Sequence, residues 1–138
     1  MKKQLFNEIT LLEEETFELG KKIVNKLPSK VVLVIIKGNV GVGKTILVRG
    51  IASELGIKEN ISSPTFGYKN QYDGMTHYDL FLVKKMRSKE FLSLISEELE
   101  KNLVVIEWGN KIPKIKNIVI ISIKIKKNNN REIKVNLK

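Results

Sequence analysis

The sequence predicts an α/β fold of three layers, with helices on both faces of a mixed central sheet, and three stretches carry that expectation. The first is a strand, a glycine loop and a helix in direct succession between Val31 and Gly56. The second is a short apolar run, Leu103 to Trp108, that follows a helical pattern and ends on the acid Glu107 and its neighbour Trp108. The third is a pair of alternating segments around Asn128-Asn129-Asn130, which reads as a C-terminal β-hairpin with one wet face.

Taken in order, Leu5 to Thr10 suits a short strand, and Thr10-Leu11-Leu12-Glu13 has the Thr-x-x-Glu form of a capping box. A helix is expected behind it, with Thr16, Leu19, Ile23 and Leu27 on one face, Glu13 to Glu15 at its acidic start and Pro28 as its stop. Val31 to Ile36 is a β-branched run of the length of a strand buried on both faces. It leads directly into Gly38-Asn39-Val40-Gly41-Val42-Gly43-Lys44-Thr45, which fills every fixed position of the phosphate-binding pattern G-x-x-x-x-G-K-[ST]. Leu47, Ile51 and Leu55 then recur at helical spacing before Gly56.

Strand, loop and helix in this order are what a P-loop NTPase-like fold requires, and they set phosphate on the positive end of the helix dipole. The loop, from Gly38 through Asn39, Val40, Gly41, Val42, Gly43, Lys44 and Thr45 to Ile46, is therefore the expected binding segment for a nucleotide triphosphate. Its glycines let backbone N–H groups turn toward phosphate oxygens. Lys44 supplies a point charge for the β and γ phosphates, and the Thr45 hydroxyl can ligate Mg²⁺.

Beyond a polar connection over residues 57 to 62 stands Ser63-Pro64-Thr65-Phe66. It is either a proline-shaped loop entering a strand or a switch whose Thr65 senses the γ-phosphate. Phe66 to Tyr72 and Met75 to Leu82 flank Asp73-Gly74, a strong two-residue hairpin signal that puts His77 and Asp79 on one face. Phe91, Leu94, Ile95 and Leu99 mark a helix starting near Ser88, with its glutamates on the other side. In open α/β sheets ligands lie beyond the carboxyl ends of strands, so Glu107 is expected in the same crevice as the loop. Glu107 and Asp79 are the candidate catalytic and metal-binding acids beside Lys44 and Thr45. His77 reads as a hydrogen-bonding support, and Trp108 as either a core plug or an aromatic beside the nucleotide or a partner.

A length of 138 residues with 42% hydrophobic content suits one domain spanning the chain, and no run is long enough to cross a bilayer. Zero cysteines and one histidine argue against disulfides and a zinc centre. The expected compartment is the cytoplasm. Of the net charge of +10, most lies in residues 111 to 138, which hold nine Lys or Arg against Glu132 alone. Such an end either attracts RNA or an acidic partner, or protects a hairpin edge against strand pairing; it lacks aromatics for base stacking.

Taken together, the loop GNVGVGKT, Ser63-Pro64-Thr65-Phe66, His77-x-Asp79 and Glu107-Trp108, in this order, resemble the TsaE family, as does the early Glu14-Glu15-Thr16. Its members are small bacterial P-loop ATPases that act with the TsaB, TsaC and TsaD proteins to install threonylcarbamoyladenosine on tRNA. The resemblance implies that Lys44 and Thr45 bind phosphate and Mg²⁺, that Asp79 and Glu107 complete the metal and water site, and that residues 63 to 66 form a switch. It implies a TsaB–TsaD-type complex as partner, tRNA as an indirect or direct one, and neither membrane nor DNA. The family usually has aspartate where Asn39 stands, and arginine three residues after the aspartate of its His-x-Asp, where this chain has Leu82.

Other readings are a small P-loop kinase and a nucleotide-gated protein- or RNA-binding module. A kinase closes arginine-bearing lids over its substrates, and the chain has only Arg49, Arg87 and Arg131. A GTPase fits less well, because Asn110-Lys111-Ile112-Pro113 has proline where a guanine-reading acid belongs.

Overall fold

The computed structural model describes residues 3–39, 41–62, 69–80, 88–107 and 115–138. Strand β1 (Lys3–Thr10) is followed by α1 (Glu13–Lys26), β2 (Leu33–Lys37) and α2 (Lys44–Glu54). A hairpin of β3 (Lys69–Tyr72) and β4 (Met75–Asp79), helix α3 (Ser88–Leu99), β5 (Leu103–Glu107), β6 (Ile118–Ile125) and β7 (Arg131–Leu137) complete the order. The strands form one sheet in the order β1-β7-β6-β2-β5-β4-β3. Its centre, β6-β2-β5-β4, is parallel, whereas β3, β7 and β1 join by antiparallel pairing.

Alternation along the central strands divides the apolar side chains between two cores, which produces the expected three layers. Val34, Ile36, Val105, Val119 and Ile121 face α1 and α2 in one core. Leu33, Ile35, Val104, Ile106 and Ile118 form the other with Ile95 of α3. Helices α1 and α2 approach so closely at Gly20 and Gly50 that a Cβ built on Gly20 would lie 3.0 Å from the Gly50 Cα. This crossing ties the helix that carries Lys44 and Thr45 to the N-terminal part of the chain.

The local expectations hold with shifts at their ends. Tyr72 pairs with Met75 across Asp73-Gly74, where Gly74 has φ +101°, as a two-residue hairpin requires. Strand β2 begins at Leu33 because the Val31 N–H closes a turn onto the Pro28 carbonyl at 2.9 Å. Thr10 does not cap α1. It is still in β1, opposite Arg131, and its hydroxyl meets that of Thr16 at 2.7 Å. Leu12 is the cap position, and Glu15 instead of Glu13 reaches back, accepting from the Leu11 and Leu12 amides at 2.9 Å each.

Two further expectations are corrected. Glu98 is not on the wet side of α3: it is buried against the sheet, accepting from Lys69 Nζ at 3.0 Å and from the Thr76 hydroxyl at 3.0 Å. Nor is the basic C-terminal hairpin a sheet edge, because β1 pairs along the outer side of β7. Its lysines stand on a wet face, where Lys126 and Lys134 both approach Glu132, at 3.7 and 3.8 Å. Among the described residues no helix is long and apolar enough to cross a membrane.

Candidate functional site

The loop leaves β2 at Lys37 and enters α2 at Lys44, so backbone donors of the first turn of α2 face the loop. Gly43 caps that helix with φ +108°, a value that disfavours any side chain. A Cβ there would lie in ordinary contact, 3.4 Å from Arg131 Nε and 4.0 Å from the Thr16 methyl, so the backbone angle and not space demands glycine. Gly38 is closed off differently: a Cβ there would come within 2.8 Å of a Val42 methyl and 3.0 Å of the Ile123 carbonyl oxygen. The loop is thus packed from outside by β6, β7 and α1. Asn39, at the exposed rim, accepts a long 3.4 Å bond from the Val42 N–H.

Lys44 is buried, 5% exposed, and its ammonium donates to the Gly38 carbonyl at 2.7 Å. Burial pushes its pKa below the ordinary lysine value of 10.5, while the nearby carboxylates of Glu107 and Asp79 act in the opposite sense. The two acids therefore share the surroundings of the loop lysine. They stand side by side, since Asp79 at the end of β4 pairs with Glu107 at the end of β5 in parallel register. Residues in parallel register point to the same face, here the one that carries α1, α2 and the loop.

His77 lies two residues before Asp79 on that face, and its Nε2 meets Glu107 Oε2 at 2.6 Å. Both side chains are buried, Glu107 at 2% exposed. Glu107 is thus no solvated strand-end acid: one oxygen is held by a fixed ring, which orients the other. The support expected of His77 is found in this bond.

Beside the loop, on the side away from Glu107, lies a cavity of about 680 Å³ lined by Gly38, Asn39, Val42, Ser122, Ile123 and Lys124. Strands β5 and β6 flank β2 on opposite sides, so the carboxylates and the cavity lie to the two sides of the phosphate loop. Thr45 and Ile46 are half-buried in the first turn of α2. Among the described residues, no group of three or more His, Asp or Glu is gathered tightly enough to hold a metal by itself. Val40, Thr65 with the rest of Ser63 to Phe66, Trp108 and Asn110 to Pro113 lie outside the described residues.

Arg131 is the residue at this site that the sequence reading passed over. Its Nε donates to the Val42 carbonyl at 2.9 Å across a separation of 89 residues. No local pattern signals such a contact; β6–β7 and β1–β7 pairing places Arg131 there.

Residues 11–134 match the family described as Threonylcarbamoyl adenosine biosynthesis protein TsaE. A relative from Treponema pallidum named tRNA threonylcarbamoyladenosine biosynthesis protein TsaE is 32% identical over 118 residues, 82% of this chain and 87% of the relative. One of the same name from Rickettsia typhi is 34% identical over 128 residues, 86% of each. A third, from Nostoc, is 35% identical over 111 residues, which are 73% of this chain and only 66% of that longer protein. In fold, the chain resembles the crystal structure of Bacillus subtilis YdiB, with a TM-score of 0.74 at 23% identity over 99% of this chain and 87% of the other.

Proposed function

We propose, since this chain belongs to the TsaE family, that it is an ATPase serving the threonylcarbamoyladenosine modification of tRNA, set in motion by a TsaB–TsaD-type complex in the cytoplasm. The observation that carries the reading is the arrangement of Lys44, Glu107 and Asp79, a buried cation on the phosphate loop within the field of two adjacent strand-end acids.

Each group has a role in that reaction. Backbone N–H groups from Gly41 to Thr45 and the start of α2 hold the β and γ phosphates. Lys44 exchanges its bond to Gly38 for phosphate oxygens and offsets the charge that develops on transfer. The donor set suits magnesium, because the Thr45 hydroxyl and the Asp79 and Glu107 carboxylates are oxygen ligands of the kind it takes alongside phosphate and water. Bound there, the ion would supply positive charge against that of the phosphates. Glu107, its orientation set by His77, directs a water toward the γ-phosphorus, and ADP leaves. The cavity beside β6 has room for the nucleoside.

Partner dependence follows from the shortage of cations. Among the described residues, Arg131 meets the loop beside Lys44, and its contact engages the loop backbone. A lone chain is therefore expected to turn over slowly. The test measures ATP hydrolysis with and without a TsaB–TsaD-type complex, in the intact protein and in Glu107→Gln. Stimulation that is lost in Glu107→Gln while nucleotide still binds supports the reading; no stimulation, with no defect in the modified base in cells lacking the protein, overturns it.

A further inference from the structure

The glycines that make a phosphate loop adaptable also leave it loosely held, and a loop ordered only on binding loses affinity to the entropy of ordering. Gly41 and Gly43 both have positive φ, at +81° and +108°. Among the described residues, Lys44 and Arg131 hold the loop backbone between them. Lys44 donates to the Gly38 carbonyl at 2.7 Å, and Arg131 Nε donates to the Val42 carbonyl at 2.9 Å. They are not equivalent, because Lys44 is the residue that goes to phosphate.

We propose that Arg131 is a positioning residue for the phosphate loop, holding the Val42–Gly43 peptide in its nucleotide-binding orientation from the C-terminal hairpin. This rests on the ATP-binding reading above. A trans peptide is planar, with C=O and N–H pointing in opposite directions. Drawing the Val42 carbonyl toward Arg131 therefore turns the Gly43 N–H away from Arg131, to the inner side of the loop. Arg131 can act as a peg because it is itself fixed. It is the first residue of β7, paired with Ile125 of β6 and with Thr10 of β1, and its Nη1 donates to the Asn129 carbonyl at 2.9 Å. The guanidinium lies directly against Gly43, its Nε 3.4 Å from where a Cβ would stand.

The bond to Asn129 extends the argument to the turn between β6 and β7. Asn128 and Asn129 both adopt left-handed backbone, with φ of 61° and 60°. The same guanidinium thus grips this turn and the phosphate loop. A shift of the turn is transmitted to the loop through one rigid, planar group, so the hairpin sets nucleotide affinity.

The test measures binding of a fluorescent ADP analogue, steady-state ATP turnover and thermal melting in the intact protein and in Arg131→Ala, Arg131→Lys and Lys134→Ala. Arg131→Ala is expected to bind about ten-fold more weakly, the factor for one charge-assisted hydrogen bond. Its KM should rise in parallel while kcat stays within about two-fold. Arg131→Lys, which keeps the charge and one donor but not the fork, should recover part of the loss. Lys134→Ala removes a charge from the same strand away from the loop and should bind as the intact protein does.

Unchanged binding in Arg131→Ala overturns the proposal, and so does equal weakening in Lys134→Ala, which would mean a general field. A kcat loss above about ten-fold with KM unchanged also overturns it, placing Arg131 on the reacting phosphate. If Arg131→Ala melts too early to assay, Arg131→Lys decides alone: affinity equal to that of the intact protein overturns the proposal, and intermediate weakening supports it. Failure of the intact protein to bind nucleotide at all would instead overturn the ATPase reading.

Discussion

Lys44 shows how a single charged residue is kept buried at the expense of the fold. Burial lowers its pKa, so the unfolded chain binds this proton more readily than the folded one. Stability linked to Lys44 therefore rises with pH across the interval between its depressed folded value and the ordinary 10.5, and below that interval the buried charge is a net cost. Replacing it by the similarly long but uncharged methionine should abolish nucleotide binding without lowering the melting temperature at pH 7. Melts from pH 7 to 10 check the sign: the variant's relative advantage should shrink as pH rises. An early-melting Lys44→Met at pH 7 would contradict this account. Glu107 and His77 make the complementary case, since the Glu107 carboxylate and His77 Nε2 meet within the core at 2.6 Å.

At the scale of elements, the crossing of α1 and α2 governs how accurately the loop is held. Ordinarily Gly→Ala inside a helix stabilises by about 1 kcal/mol through helix propensity. At Gly50 the sign should reverse, because the new methyl would overlap the Phe17 carbonyl oxygen and sit 3.1 Å from the Gly20 Cα. Overpacking of this kind costs about 1–3 kcal/mol and outweighs the propensity gain. Gly50→Ala should thus lower the melting temperature by several degrees. It should also weaken nucleotide binding, since the displaced helix begins at Lys44. Thermal melts with and without ADP separate the two effects. The sequence offers a faint cue here, two glycines inside helical patterns, but only the packed structure identifies them as a contact between backbones.

Across the whole molecule, α3 is fastened to the far end of the sheet by Glu98, 6% exposed and bonded to Lys69 and Thr76. The hydrogen bond from Lys69, then that from Thr76, holds its carboxyl below the ordinary 4.5 despite burial. A depressed carboxyl contributes stability that is present above the unfolded value and lost as pH falls through the folded one. Glu98→Gln is therefore expected to destabilise by about 1.5–3 kcal/mol at pH 7, the range for hydrogen bonds to charged groups. The difference should fade as pH drops below 4.5, as denaturant melts across pH 3 to 7 would report. Glu98 falls seven residues after Phe91, on the apolar stripe that Leu94 and Ile95 continue, but its charge assigned it to the wet side with the other glutamates. Its partners were not legible, because they come from the β3–β4 hairpin and no local pattern relates the two.

What the sequence determined by itself is local: the phosphate loop, the strand and helix around it, the two-residue hairpin and the acid-ended strand. Contiguous residues encode these through backbone dihedral preference and through periods of 2 and 3.6. Joined to the family resemblance, they were enough for the fold class and for expecting Glu107 and Asp79 near Lys44, where the register of β4 and β5 sets them side by side. Only the tertiary structure decided that β1 covers the basic hairpin, that His77 grips Glu107 across 30 residues, and that Arg131 holds Val42 across 89. Those contacts depend on which strands become neighbours. That choice minimises exposed apolar surface over the whole chain, so no short stretch of sequence contains it.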